Sequence, residues 1–80
     1  DPALFPILRG FFGALTELPQ DMREAAEMLA ALRMLAALGF DEGEIPGETS
    51  AFPPSLLAAV VADRTHYIAR INRGITASGL

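Results

Sequence analysis

One histidine, His66, stands between Thr65 and Tyr67, and the chain has no cysteine. Structural metal sites need several imidazoles or thiolates, so no such site can be assembled, and the expected place for His66 is a surface or boundary. The carboxylates Asp41, Glu42 and Glu44 cluster among glycines and prolines. Dividing acid and base roles between carboxylates needs environments that push their pKa values apart, and an open loop keeps such groups solvated instead. Gly43 and Gly47 are too few and wrongly spaced to cradle a phosphate, and Thr49 and Ser50 have no evident base to activate them. These residues do not predict an enzyme. What remains is recognition chemistry: Arg33, Arg70 and Arg73 can take carboxylates through a bidentate fork. Phe11, Phe12 and Leu15 could form apolar pocket walls beside them. The competing assignments are core packing for the apolar stripe and surface solvation for the arginines.

The elements holding these groups must be few. An 80-residue chain has room for one domain and buries only a little over ~60% of its unfolded surface, so its core must be dense. Hydrophobic residues make up 51% and charged residues 20%, which suits a packed globule and argues against a disordered linker. Without cysteines, helix packing must supply the stability. The longest apolar stretches are interrupted by Arg9, Arg33 and Asp63, which excludes a membrane-spanning segment of the usual length, and no signal peptide is visible. The absence of Lys and the acidic balance disfavour a membrane-surface helix. The formal charge of -4 is unevenly placed: Arg64, Arg70 and Arg73 outnumber Asp63 after residue 48, while acidic groups dominate before it. A chain that opens on Asp1 rather than Met predicts a piece of a longer protein.

Helical spacing organises most of the sequence, so the expected fold is all-α, a small bundle of three to four helices with one long loop. Leu4, Leu8, Phe11, Leu15 and Leu18 recur at steps of four and three, with Phe5 and Phe12 beside them, and this stripe is expected to face the core. The first helix starts either from an Asp1 cap with Pro2 or from Pro6, and Gly10 and Gly13 would let a neighbouring helix approach. From Asp21 or Met22 to Leu38 nearly every residue is a strong helix former, with Ala25, Met28, Leu29, Leu32, Leu35 and Ala36 on one face. Gly39 then supplies a left-handed cap, after which Phe40 can fold back on Leu35. Residues 41–54 read as a loop that is either mobile or pinned by Ile45 and Phe52. Beyond it, Ser55 can cap a helix carrying Leu57, Val60, Val61, Ile68, Ile71 and Ile75. Asp63 or Thr65 is a possible new cap if that helix is broken, and Gly74 and Gly79 predict fraying at its end.

Two stretches go further. Leu32-Arg33-Met34-Leu35-Ala36-Ala37-Leu38-Gly39-Phe40 resembles a helix ending of the RecO family of recombination mediators, which runs leucine-arginine-leucine-leucine, two variable residues, then leucine-glycine-aromatic. Ile71-Asn72-Arg73-Gly74-Ile75-Thr76-Ala77-Ser78-Gly79-Leu80 is similar to the C-terminal ending of short RecO-like proteins. Together they cover about a quarter of the chain and occur in the family's order. The resemblance implies the helical domain of a cytoplasmic DNA repair and DNA recombination protein, which receives the acidic tail of single-strand-binding protein. In the family, DNA is bound by an N-terminal OB-fold, so DNA contact would be made through that domain rather than through these residues. Many relatives carry a four-cysteine zinc site after the glycine-aromatic ending. Here that stretch is the cysteine-free loop, so zinc is not carried over and no cofactor is expected. Only Arg33 falls on a fixed family residue; Arg70, Arg73 and the apolar wall are assigned from chemistry. The alternative is a structural helical module, without a ligand site, that assembles a larger protein or oligomer.

Overall fold

The computed structural model describes residues 2–41 and 43–79. Among them are four α-helices and no strand: α1 (Leu4–Leu15), α2 (Gln20–Ala37), α3 (Pro54–Ala62) and α4 (Arg64–Ser78). The chain is all-α, as its periodicity requires. The expected cap at Asp1, and any role of Glu42 or Leu80, lie outside the described residues.

Helix α2 is the centre of the bundle. It packs against each of the other three helices, whereas α1 has only α2 beside it among the helices. Three neighbours explain why α2 buries more than the one face expected. Ala25, Leu29, Leu32 and Leu35 are joined in the interior by Ala26, Ala30 and Arg33, and the small alanines let flanking helices approach on both sides. The helix begins after Pro19, whose extended backbone makes it the N-cap. It ends as a Schellman motif. The Phe40 amide donates to the Leu35 carbonyl at 2.8 Å and the Gly39 amide to that of Ala36 at 3.0 Å. Gly39 takes φ +88° to close the motif, a conformation that costs other residues about 1–2 kcal/mol.

Helix α1 is rotated from the expected orientation. Its fully buried residue is Ile7, with Phe11, Ala14 and Leu18 along the same side, so the core-facing line lies about 50° around the axis from the Leu4–Leu8–Leu15 stripe. Phe5 and Phe12 consequently point outward, a correction to their expected place beside the core. Pro6 sits inside the first turn of a helix that already starts at Leu4, where the missing amide hydrogen is one that has no intrahelical partner. Gly10 does allow a close approach, but from a loop: a methyl group there would overlap the Ser50 carbonyl. Gly13 has no such neighbour.

The loop from Asp41 to Pro53 is pinned. Phe52 is buried at 8% exposure and Ile45 packs against the core, and Phe52 meets Phe11 with ring centroids 6.0 Å apart. Pro53, not Ser55, is the N-cap of α3, with Pro54 at the first helical position, where proline's fixed φ suits the helix. The expected break occurs at Asp63, which leaves helical geometry (φ -119°, ψ 39°) and caps α4 without a side-chain hydrogen bond. Gly74 does not fray. It is buried, and a methyl group there would stand 2.8 Å from Leu35 Cδ1, so the glycine is what lets α4 lie close to α2. Gly79, at φ +81°, ends α4.

Candidate functional site

The six residues expected to form one binding site divide among three places. Arg33 is 4% exposed. Its Nη1 donates to the carbonyls of Ala51 at 2.6 Å and Thr49 at 3.1 Å, and its Nη2 to that of Pro46 at 3.4 Å. Its guanidinium also lies 4.9 Å above the centre of the Phe52 ring. Burial lowers the pKa of Arg33 by desolvation, yet arginine keeps its charge at any ordinary pH. Three carbonyls and a ring face therefore replace its water, and in this arrangement its donors are turned to the loop rather than to a ligand.

Arg70 is likewise withdrawn, at 8% exposure. Its Nε donates to Asp41 Oδ1 at 3.3 Å, and Nη2 meets Asp41 Oδ2 at 2.8 Å. These last two atoms are buried and out of hydrogen-bond alignment, so charge attraction holds that side of the pair. Asp41 is thus an ion-pair partner with its side chain 11% exposed, which corrects its expected place in a solvated acidic cluster. Gly43 lies so close to the guanidinium that a methyl group there would overlap Nη2. Beside this pair runs an open groove of about 640 Å³ lined by Phe40, Glu44, His66, Arg70 and Arg73. His66 is exposed, as expected, and so is Arg73. His66, Arg70 and Arg73 follow one another at steps of four and three, which places them on one side of α4.

Among the apolar candidates, Phe11 is half-buried and belongs to the core's margin, Leu15 is half-buried, and Phe12 is 60% exposed. Phe12 stands with Phe5, which is 64% exposed, and with Leu8 and Arg9, lining an apolar hollow of about 360 Å³ on the outside of α1. Arg9 lies across the hollow with its guanidinium 5.3 Å from the centre of the Phe5 ring. The lining of this hollow includes none of Arg33, Arg70 and Arg73.

Phe5, Leu8 and Arg9 line this hollow but are not among the six expected site residues, since Phe5 and Leu8 belong to the stripe expected to face the core. A signal for them exists in the sequence: Leu4, Phe5, Ile7, Leu8, Phe11, Phe12 and Leu15 spread over an arc of about 160° around the axis of α1, wider than the ~100° stripe that faces a core. The fold gives α1 a single helical neighbour, so one apolar face is left over. Among the described residues no group of His, Cys, Asp or Glu could hold a metal ion, and no helix is long and apolar enough to cross a membrane. Comparison with family models, with curated proteins and with solved structures gives no match.

Proposed function

We propose that the chain is a helical protein-interaction domain, the helical part of a RecO-like recombination mediator acting in DNA repair, and that α1 carries its docking surface. The observation that carries the interaction role is the pair Phe5 and Phe12, 64% and 60% exposed on one face of α1. Phe5 and Phe12 join Leu8 in one contiguous apolar patch, the kind of surface that marks a contact site, and aromatic residues dominate binding hot spots. The family assignment rests on the two sequence stretches. The first of them ends in the Schellman motif at Gly39-Phe40, and the second lies along α4 as far as Ser78. A mediator of this kind works in the cytoplasm.

The test is a titration of the chain with amphipathic helical peptides, read by fluorescence anisotropy. Saturable binding is expected, and the double substitution Phe5→Ser and Phe12→Ser should weaken it by at least about tenfold, since hot-spot aromatics are each worth about 2 kcal/mol. Because both side chains are exposed, the melting temperature should stay within a few degrees. A chain that binds neither peptide nor itself has no docking face on α1, and the structural-module alternative then stands.

A second reading is favoured by the α4 groove. There Arg73 is exposed and no ion pair within the chain engages it among the described residues, while Phe40 lies alongside. An acidic, aromatic-ended tail such as that of single-strand-binding protein fits this chemistry. In this geometry Arg73 and His66 meet the tail, Arg70 shapes the floor through Asp41, and Arg33 contributes only through the loop it holds. Arg73→Ala should lower the affinity for a labelled acidic, aromatic-ended peptide about fivefold at low salt. Unchanged affinity would remove the tail from this groove.

A further inference from the structure

Resting on the reading of α1 as a docking face, we infer that its occupant is an acid-bearing amphipathic helix of another protein, whose carboxylate pairs with Arg9. Four of the six arginines have a protein partner: Arg23 donates to the Leu18 carbonyl, Arg33 to the loop carbonyls, Arg64 pairs with Glu24 and Arg70 with Asp41. Arg9 has no hydrogen bond or ion pair among the described residues, although the chain carries ten acidic groups. Helix α1 itself has no acid, and Arg9 rests on Phe5, inside the hollow formed with Leu8 and Phe12. An unpaired cation laid on an apolar face defines what should cover it: apolar side chains around one carboxylate, whose pairing strengthens as water is excluded.

The shape of the face selects a helix. Phe5, Leu8, Phe12 and Leu15 stand at steps of three, four and three along α1, the ridge into which another helix packs its own. Among the described residues there is no strand to extend. A second copy of this chain fits less well. The face exposes roughly 400 Å² if each phenylalanine leaves about 100–150 Å² open, so a second copy and a single partner helix bury about the same 800 Å², and charge rather than area decides between them. A two-fold axis through the middle of so short a ridge would bring two Arg9 guanidiniums together, with no acid on either α1 to separate them.

Two synthetic helical peptides of about four turns test this, each with leucines at i, i+3 and i+7 and differing only in a single Glu or Lys beside them. The full chain should bind the Glu peptide about tenfold more tightly than the Lys peptide at low salt, and the margin should shrink as salt is raised. Arg9→Glu should reverse the order, and Arg9→Gln should equalise the two; Arg9 is exposed, so both variants should fold. Equal binding of the two peptides by the unmodified chain overturns the acidic partner while leaving α1 as a docking face. Refusal of both peptides together with Phe12-dependent dimerisation makes a second copy the occupant and overturns the inference. Refusal of both by a chain that stays monomeric removes the docking face as well.

Discussion

Arg33 illustrates how one side chain can do the work of a secondary-structure element. The loop after α2 has few hydrogen bonds of its own, and three of its carbonyls, at Pro46, Thr49 and Ala51, turn to a single guanidinium. Replacing Arg33 with Ala leaves these acceptors without their donor and opens a space beneath Phe52. The expected loss is about 2–4 kcal/mol, measured by urea unfolding. Arg33→Lys keeps the charge but offers one compact ammonium where the loop needs a fork, and should still lose about 1–2 kcal/mol. A stability equal to that of the unmodified chain in both variants would show that the loop is held by Phe52 and Ile45 alone. The same substitutions should leave peptide binding at α1 untouched, since Arg33 does not line that hollow.

At the level of the helices, Gly10 and Gly13 should respond to the same change in opposite directions. Gly13→Ala adds a good helix former where nothing lies within 4 Å, and should stabilise by about 0.5–1 kcal/mol. Gly10→Ala forces the Ser50 backbone away and should destabilise by about 1–3 kcal/mol; thermal unfolding of the two variants checks the pair. This contrast also marks the limit of what periodicity makes legible. The helical stretches and the Gly39 ending could be read from local pattern and caps, while the break at Asp63 and the entry of Phe52 into the core are each one of two alternatives that local pattern leaves open. The facing of α1 could not be read, because its large apolar residues spread over nearly half of its circumference and which part of that arc turns inward is decided by α2. Local pattern gives Arg70 and Asp41 only solvated, rim or loop places, because their pairing spans 29 positions and no local spacing announces it. Gly74 looked like a fraying signal for the same reason: its neighbour Leu35 belongs to another helix. Of the candidate site, Phe12 and Arg73 were legible by type and stand exposed, while Arg33 and Phe11 are claimed by the core.

Taken whole, the molecule has a Cα radius of gyration of 11.8 Å, against about 11.6 Å expected for a compact chain of this length, so the apolar face of α1 belongs to a closed globule. That globule is organised around α2, and the loop between α2 and α3 is tied at Asp41 by Arg70 and at Pro46, Thr49 and Ala51 by Arg33. Glu44 lies exposed between the two ties. Covalent continuity is therefore dispensable at that point. In a variant carrying Glu17→Gln, Glu42→Gln and Glu48→Gln, cleavage by a glutamyl-specific protease after Glu44 should yield two pieces, one carrying α1 and α2 and the other α3 and α4, that co-elute as a single folded species and separate only in denaturant. Elution of the nicked pieces apart would show that the ties are too weak to hold the halves together. If they stay together, the chain is a natural split pair: each half expressed separately should restore the other, with Arg33 on one side meeting its carbonyls on the other.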